Sequence, residues 1–148
     1  MTDSVLDSIA VLGDDPRRTD AMRQEVRELF PEAQAVFFDN APDMVAWLKD
    51  QLQSVGLLCL DHDLGPNRGR EGVEFDPGTG RDVADFLSRQ AASCPVLIHS
   101  SNPAGADGMQ FTLEEAGWSV ERVVPFDDLT WIKAQWSRRV GVLGRGKE

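Results

Sequence analysis

Short apolar runs alternate with segments of helical spacing along the whole chain. Ile9-Ala10-Val11-Leu12 stops at Gly13-Asp14-Asp15-Pro16, the pattern of a buried strand leaving the sheet. Pro16 suits the first turn of a helix with Asp15 as its N-cap, and Met22, Val26 and Leu29 follow at helical spacing. Ala35 to Phe38 reads as a second strand, and Pro42-Asp43 opens a helix with Met44, Leu48 and Leu52 inward. Val55 to Leu60 forms a third strand ending at Asp61. Residues 64–79 make a Gly- and Pro-rich loop, longer than the usual two to six residues of such connections.

Thr79-Gly80 leads into a third helix, and Pro95 to His99 is a fourth strand. A fourth helix is expected from about Gly105 to Ala116, with Gly117 as its C-terminal stop. Val120 to Val124 is a fifth strand, and Asp127-Asp128 is read as the start of a last helix carrying Ile132, Trp136 and Val140. Residues 141–148 read as a frayed tail on an ordered core of about 8–140. Strand and helix alternating five times imply an α/β fold: a doubly wound parallel sheet covered on both faces. Ligands of such sheets bind beyond the carboxyl ends of the strands.

Those ends collect chemistry. Past the strands come Asp14-Asp15, Asp39-Asn40, Asp61-His62-Asp63, His99-Ser100-Ser101-Asn102 and Asp127, so both histidines of the chain fall on one rim. Asp14, Asp15 and Asp61 come within reach of one another if strands one and three are neighbours. At about 5 Å and an effective dielectric near 20, each like-charged pair costs on the order of 3 kcal/mol. A hard cation, Mg²⁺ or Mn²⁺, relieves that cost, with Asp63 a further candidate ligand. The bland alternative leaves Asp15 as a helix cap and Asp14 solvated.

His62 and His99 are candidate base and acid, as side chains that titrate near neutrality. Strand alternation offers another place for His99, inside the apolar layer. Ser100, Ser101, Asn102 and the Gly105 amide are candidate phosphate donors at a helix N-terminus, where Ser101 or Asn102 could equally be a cap.

Composition trims the options. A chain of 148 residues with formal net charge −10 fits one domain and argues against binding duplex DNA. A basic patch of Arg17, Arg18, Arg68, Arg70 and Arg81 survives that count. Cys59 and Cys94 sit in or beside apolar runs without metal-like spacing, and read as buried hydrophobes. The N-terminus lacks a signal peptide's pattern and no run approaches a membrane span, so a cytoplasmic protein is expected. Trp118, Trp131 and Trp136 are read as core.

The acidic pair Asp14-Asp15, Asp61 at the end of strand three and Ser100 resemble the receiver domains of two-component signalling. That resemblance implies a five-stranded sheet of order 2-1-3-4-5, an Asp61 that accepts a phosphoryl group, and a divalent ion on the acidic pair. Receivers end strand five on a lysine; here Val124 stands in its place.

The strings Leu60-Asp61-His62-Asp63-Leu64-Gly65, Thr79-Gly80-Arg81-Asp82 and Ile98-His99-Ser100-Ser101-Asn102 resemble a divergent branch, the cyclic-phosphate processing receiver-like domains. This implies a metal-assisted phosphoesterase acting on a cyclic or terminal phosphate of a nucleotide or RNA end. Asp14, Asp15, Asp61 and Asp63 would surround the metal, His62 and His99 would move protons, and Ser100, Ser101, Asn102 and Gly105 would orient the phosphate. The alternative is a degenerate receiver module that docks on a protein partner or forms a homodimer.

Overall fold

The computed structural model describes residues 6–65, 67–68 and 74–146. Five strands, β1 (Ser8–Leu12), β2 (Gln34–Phe38), β3 (Leu57–Leu60), β4 (Val96–His99) and β5 (Val120–Val123), form one parallel sheet. Their order is β2-β1-β3-β4-β5, the order that the receiver resemblance implies. The helices are α1 (Pro16–Leu29), α2 (Ala41–Gln51), α3 (Gly80–Leu87), α4 (Pro103–Glu115) and α5 (Ser137–Gly144). Among the described residues none is long and apolar enough to cross a membrane.

Period-two alternation splits the core into two layers. Ala10, Leu12, Leu58, Leu60, Val96 and Ile98 pack under α2, α3 and α4. Ile9, Val11, Leu57, Cys59 and Leu97 pack under α1 and α5 with Trp131, Trp136 and Val140. The three tryptophans read as core are buried. So is Cys59, and burial pushes the Cys94 thiol up to about 12, so neither cysteine is a reactive thiolate.

Local chemistry explains most helix ends. Asp15 accepts from the Arg17 amide, Asn40 from Asp43, and Thr79 with Asp82 makes a capping box for α3. Asn102, not Ser101, caps α4, which therefore starts two residues before the expected Gly105. Gly117 has φ +95° and closes α4 with bonds from Gly117 and Trp118 to the Glu114 and Leu113 carbonyls, the Schellman pattern.

The last helix departs most from expectation. Asp127 and Asp128 both have left-handed backbones (φ 49° and 53°), so they form a turn and the helix begins at Thr130. It passes through a π-helical turn, Ile132–Trp136, before α5. Helix continues to Gly144 rather than fraying from 141, because Gly141 and Gly144 are packing positions. A Cβ on Gly144 would lie 2.7 Å from the Phe30 ring. The long loop before α3 carries a two-residue antiparallel ladder, Asn67–Arg68 against Glu74–Phe75.

Candidate active site

β1, β3 and β4 lie side by side, so the segments leaving their carboxyl ends converge. Asp61 follows β3 directly, its amide bonded to the Leu12 carbonyl (3.1 Å), which ties the β3 exit to the β1 exit. Each of three carboxylates there commits one oxygen to a backbone amide: Asp14 to Gly65, Asp15 to Arg17 and Asp61 to His62. Burial raises the Asp61 carboxyl to about 7; the His62 amide opposes this, and the Asp14 charge adds to it. The all-oxygen donor set and the Asp14 charge acting on Asp61 are chemistry a hard divalent ion suits. No three His, Cys, Asp or Glu groups among the described residues are already gathered as a metal cluster.

Beside the carboxylates stands a second group. His62 Nδ1 is 2.7 Å from Asp63 Oδ1, and Asn102 Nδ2 donates to Asp63 Oδ1 and Oδ2 at 3.1 and 3.3 Å. These bonds hold the Asp63 carboxyl below the ordinary carboxylate range. Asn102 Oδ1 meanwhile accepts from the Gly105 amide at 2.9 Å, so one side chain caps α4 and anchors Asp63. The His62 carbonyl accepts from Gly80 (2.8 Å), fixing the loop against the start of α3. An imidazole whose Nδ1–H faces a carboxylate keeps its lone pair on Nε2, the form of a general base.

The expected residues thus divide. Asp14 at the β1 exit acts on Asp61 at the β3 exit, while Asp15 caps α1 and faces Arg18. Asp63 bonds His62 and Asn102, and its charge also acts on Asp61. The Gly105 amide is spent on the cap, Ser100 is buried with its hydroxyl accepting from the Asn102 amide (3.0 Å), and Ser101 is exposed.

His99 does not join His62. It points into the α1/α5 layer, 1% exposed, with its ring 6.0 Å from Trp131 and 6.4 Å from Trp136. Burial lowers its pKa to about 3, the Arg18 charge acts the same way, and a bond to the Leu12 backbone works against both. His99 is therefore a neutral core residue, as alternation along β4 requires once Ser100 takes the other face.

Composition put Arg18 in a loose basic patch; the structure places it at the site. Its guanidinium carbon lies 5.4 Å from the Trp131 ring centre, and Nε is 3.9 Å from Asp15 Oδ2. The other patch members differ: Arg17 pairs with Asp128 (2.8 Å), Arg81 with Asp85 (3.1 Å), Arg68 sits on the small ladder, and Arg70 lies outside the described residues. Val124, which directly follows β5, is 59% exposed.

The family model of the cyclic-phosphate processing receiver domain matches residues 9–115. No curated protein sequence matches the chain. Solved structures share the fold at low identity. The phosphorylated cyanobacterial phytochrome response regulator RcpA aligns with TM-score 0.71 at 12% identity over 94% of both chains. The Mn²⁺-bound response regulator Rcp1 gives 0.68 at 12% over 94% of both. A response regulator receiver domain from Rhodospirillum rubrum gives 0.65 at 16% over 91% of both.

Proposed function

The chain belongs to the family of cyclic-phosphate processing receiver domains, and on that premise we propose that it hydrolyses a cyclic or terminal phosphate ester. The observation that carries this reading is the His62–Asp63–Asn102 chain of hydrogen bonds beside the Asp61 carboxylate. A receiver that only accepts a phosphoryl group on an aspartate has no need of an oriented imidazole there.

In this reading His62 Nε2 takes a proton from a water as its oxygen attacks phosphorus. Asp63 holds the imidazole in the tautomer that can accept and balances the imidazolium that results. The phosphorus–ester bond breaks, and the departing oxygen takes its proton from solvent across the rim. Asp14, Asp15 and Asp61 would hold Mg²⁺ or Mn²⁺, which supplies positive charge to polarise the phosphoryl oxygen. The substrate class is a phosphate-containing small molecule, such as a 2′,3′-cyclic nucleotide, or an RNA end of the same chemistry. Purified protein assayed against 2′,3′- and 3′,5′-cyclic nucleotides with either metal tests this. Turnover that is unchanged in His62→Ala removes the mechanism.

A degenerate receiver acting on a protein partner or as a homodimer is the second reading, favoured by Phe111 and Val124, exposed at 67% and 59%. Beryllofluoride discriminates, because a phosphoryl-accepting receiver traps it at Asp61.

A further inference from the structure

We propose that Arg18 is the phosphate clamp of this site, donating to the non-bridging oxygens of the bound ester in place of the cation that Val124 does not supply. The inference rests on the proposed phosphate-ester chemistry at this rim and says which residue meets the anion.

Three observations carry it. First, Arg18 has donors to spare. Among the described residues Arg17, Arg81 and Arg122 have carboxylate oxygens at 2.8, 3.1 and 2.6 Å, whereas the carboxylate oxygen paired with Arg18 stands at 3.9 Å. A guanidinium presents five N–H groups in a fork that matches two phosphate oxygens. Second, it is the more enclosed group: its side chain is 30% exposed against 65% for Arg17. An arginine with its stem covered and its fork under-used is poised for a ligand rather than solvated.

Third, its position is built from both sides. α1 begins directly after Asp15, so Arg18 is its third residue, in the first turn of the helix that the acidic pair starts. The Trp131 ring, delivered from the far end of the chain, lies against the guanidinium and restricts where it can point. Trp131 is fully buried and stacks in turn on His99, so that support is rigid. From this perch the Arg18 charge already acts on Asp61. An anion bound beside Asp61 would meet a positive charge already held by Trp131, the pre-organised arrangement that stabilises charge developing on phosphoryl oxygens.

The test is binding of inorganic phosphate and of a 2′,3′-cyclic nucleotide by calorimetry in Mg²⁺ buffer. Arg18→Met keeps a stem over Trp131 and loses the charge; Arg18→Gln serves if the first variant does not fold. Either is expected to bind phosphate at least tenfold more weakly, with Arg89→Ala unchanged as control. Low millimolar guanidinium should restore part of the affinity to Arg18→Ala. A folded Arg18→Met that binds phosphate as the wild type does overturns the assignment, even if the wild type turns over ester. Arg18-dependent phosphate binding without turnover upholds the clamp and sinks hydrolysis. A wild type that binds no phosphate sinks both.

Discussion

A Cβ added to Gly105 would lie 2.6 Å from Cγ of His62, so the imidazole is seated directly on the backbone of α4. The same helix turn presents Asn102 to Asp63, and the three contacts together fix the orientation of the ring. Gly105→Ala is expected to push His62 off Asp63 while leaving the fold intact. Overpacking costs about 1–3 kcal/mol, and replacing a helical glycine by alanine returns about 1 kcal/mol. Turnover of a cyclic nucleotide should fall at least tenfold with little change in the urea midpoint. Full activity in this variant would show that the seat is irrelevant.

Gly80 gives the opposite outcome. Its missing Cβ would stand 2.0 Å from the Asp61 carbonyl oxygen, a backbone atom that cannot rotate away. Gly80→Ala should therefore destabilise the whole domain, by roughly 3 kcal/mol or more. Chemical denaturation of the two variants side by side separates a glycine needed by the site from one needed by the fold.

Asp63→Asn keeps the size of the side chain but no longer provides a carboxylate for the His62 Nδ1–H. The expected result is a fall in kcat of about 10²–10⁴-fold with KM nearly unchanged, since the loss falls on proton transfer. A rise in KM alone would place Asp63 in binding instead.

Much of this was legible beforehand, and the misses have physical causes. The apolar runs gave the strands because a parallel sheet buries both faces, and Asp15 and Thr79 announce their helices by local hydrogen bonding. Pairing of Asp63 with Asn102, or of Arg18 with Trp131, depends on which strands are neighbours and joins residues far apart in the chain. Gly141 and Gly144 look like a loose tail when only flexibility is considered, yet both are buried, and Gly144 lets the last helix approach Phe30. Asp127 and Asp128 carry the composition of a helix start, but their left-handed backbones make them a turn. His99 needed one more step of alternation than its place at a strand end suggests.

Asp61 makes stability depend on pH in a stated direction. Its folded pKa is raised from 3.8 to about 7, so the folded chain keeps a proton that the unfolded chain has lost. That contribution is fully present below pH 3.8 and disappears as pH rises through 7. The change is worth at most roughly 4 kcal/mol at 1.36 kcal/mol per pH unit. Asp61→Asn should therefore be more stable than wild type at pH 8, and the difference should close towards pH 4. Parallel urea titrations that show a constant gap would contradict the burial of this carboxyl.

His99 works in the acid range with the reverse dependence. Its folded pKa is lowered from 6.5 to about 3, so below pH 6.5 the unfolded chain binds a proton that the folded core refuses. The neutral imidazole favours the fold fully above pH 6.5, and the advantage drains away as pH falls towards 3, at up to about 1.4 kcal/mol per unit. His99→Phe keeps an aromatic ring between Trp131 and Trp136 and has no proton to gain. It should flatten the acid limb, so that the variant stays folded to lower pH than wild type when both are followed by tryptophan fluorescence. The same variant should retain turnover, because a phenyl ring still supports Trp131 beneath Arg18 and the buried, neutral imidazole has no proton to give. Coincident acid transitions would mean the buried ring is not what the acid attacks, and lost turnover would return His99 to the chemistry.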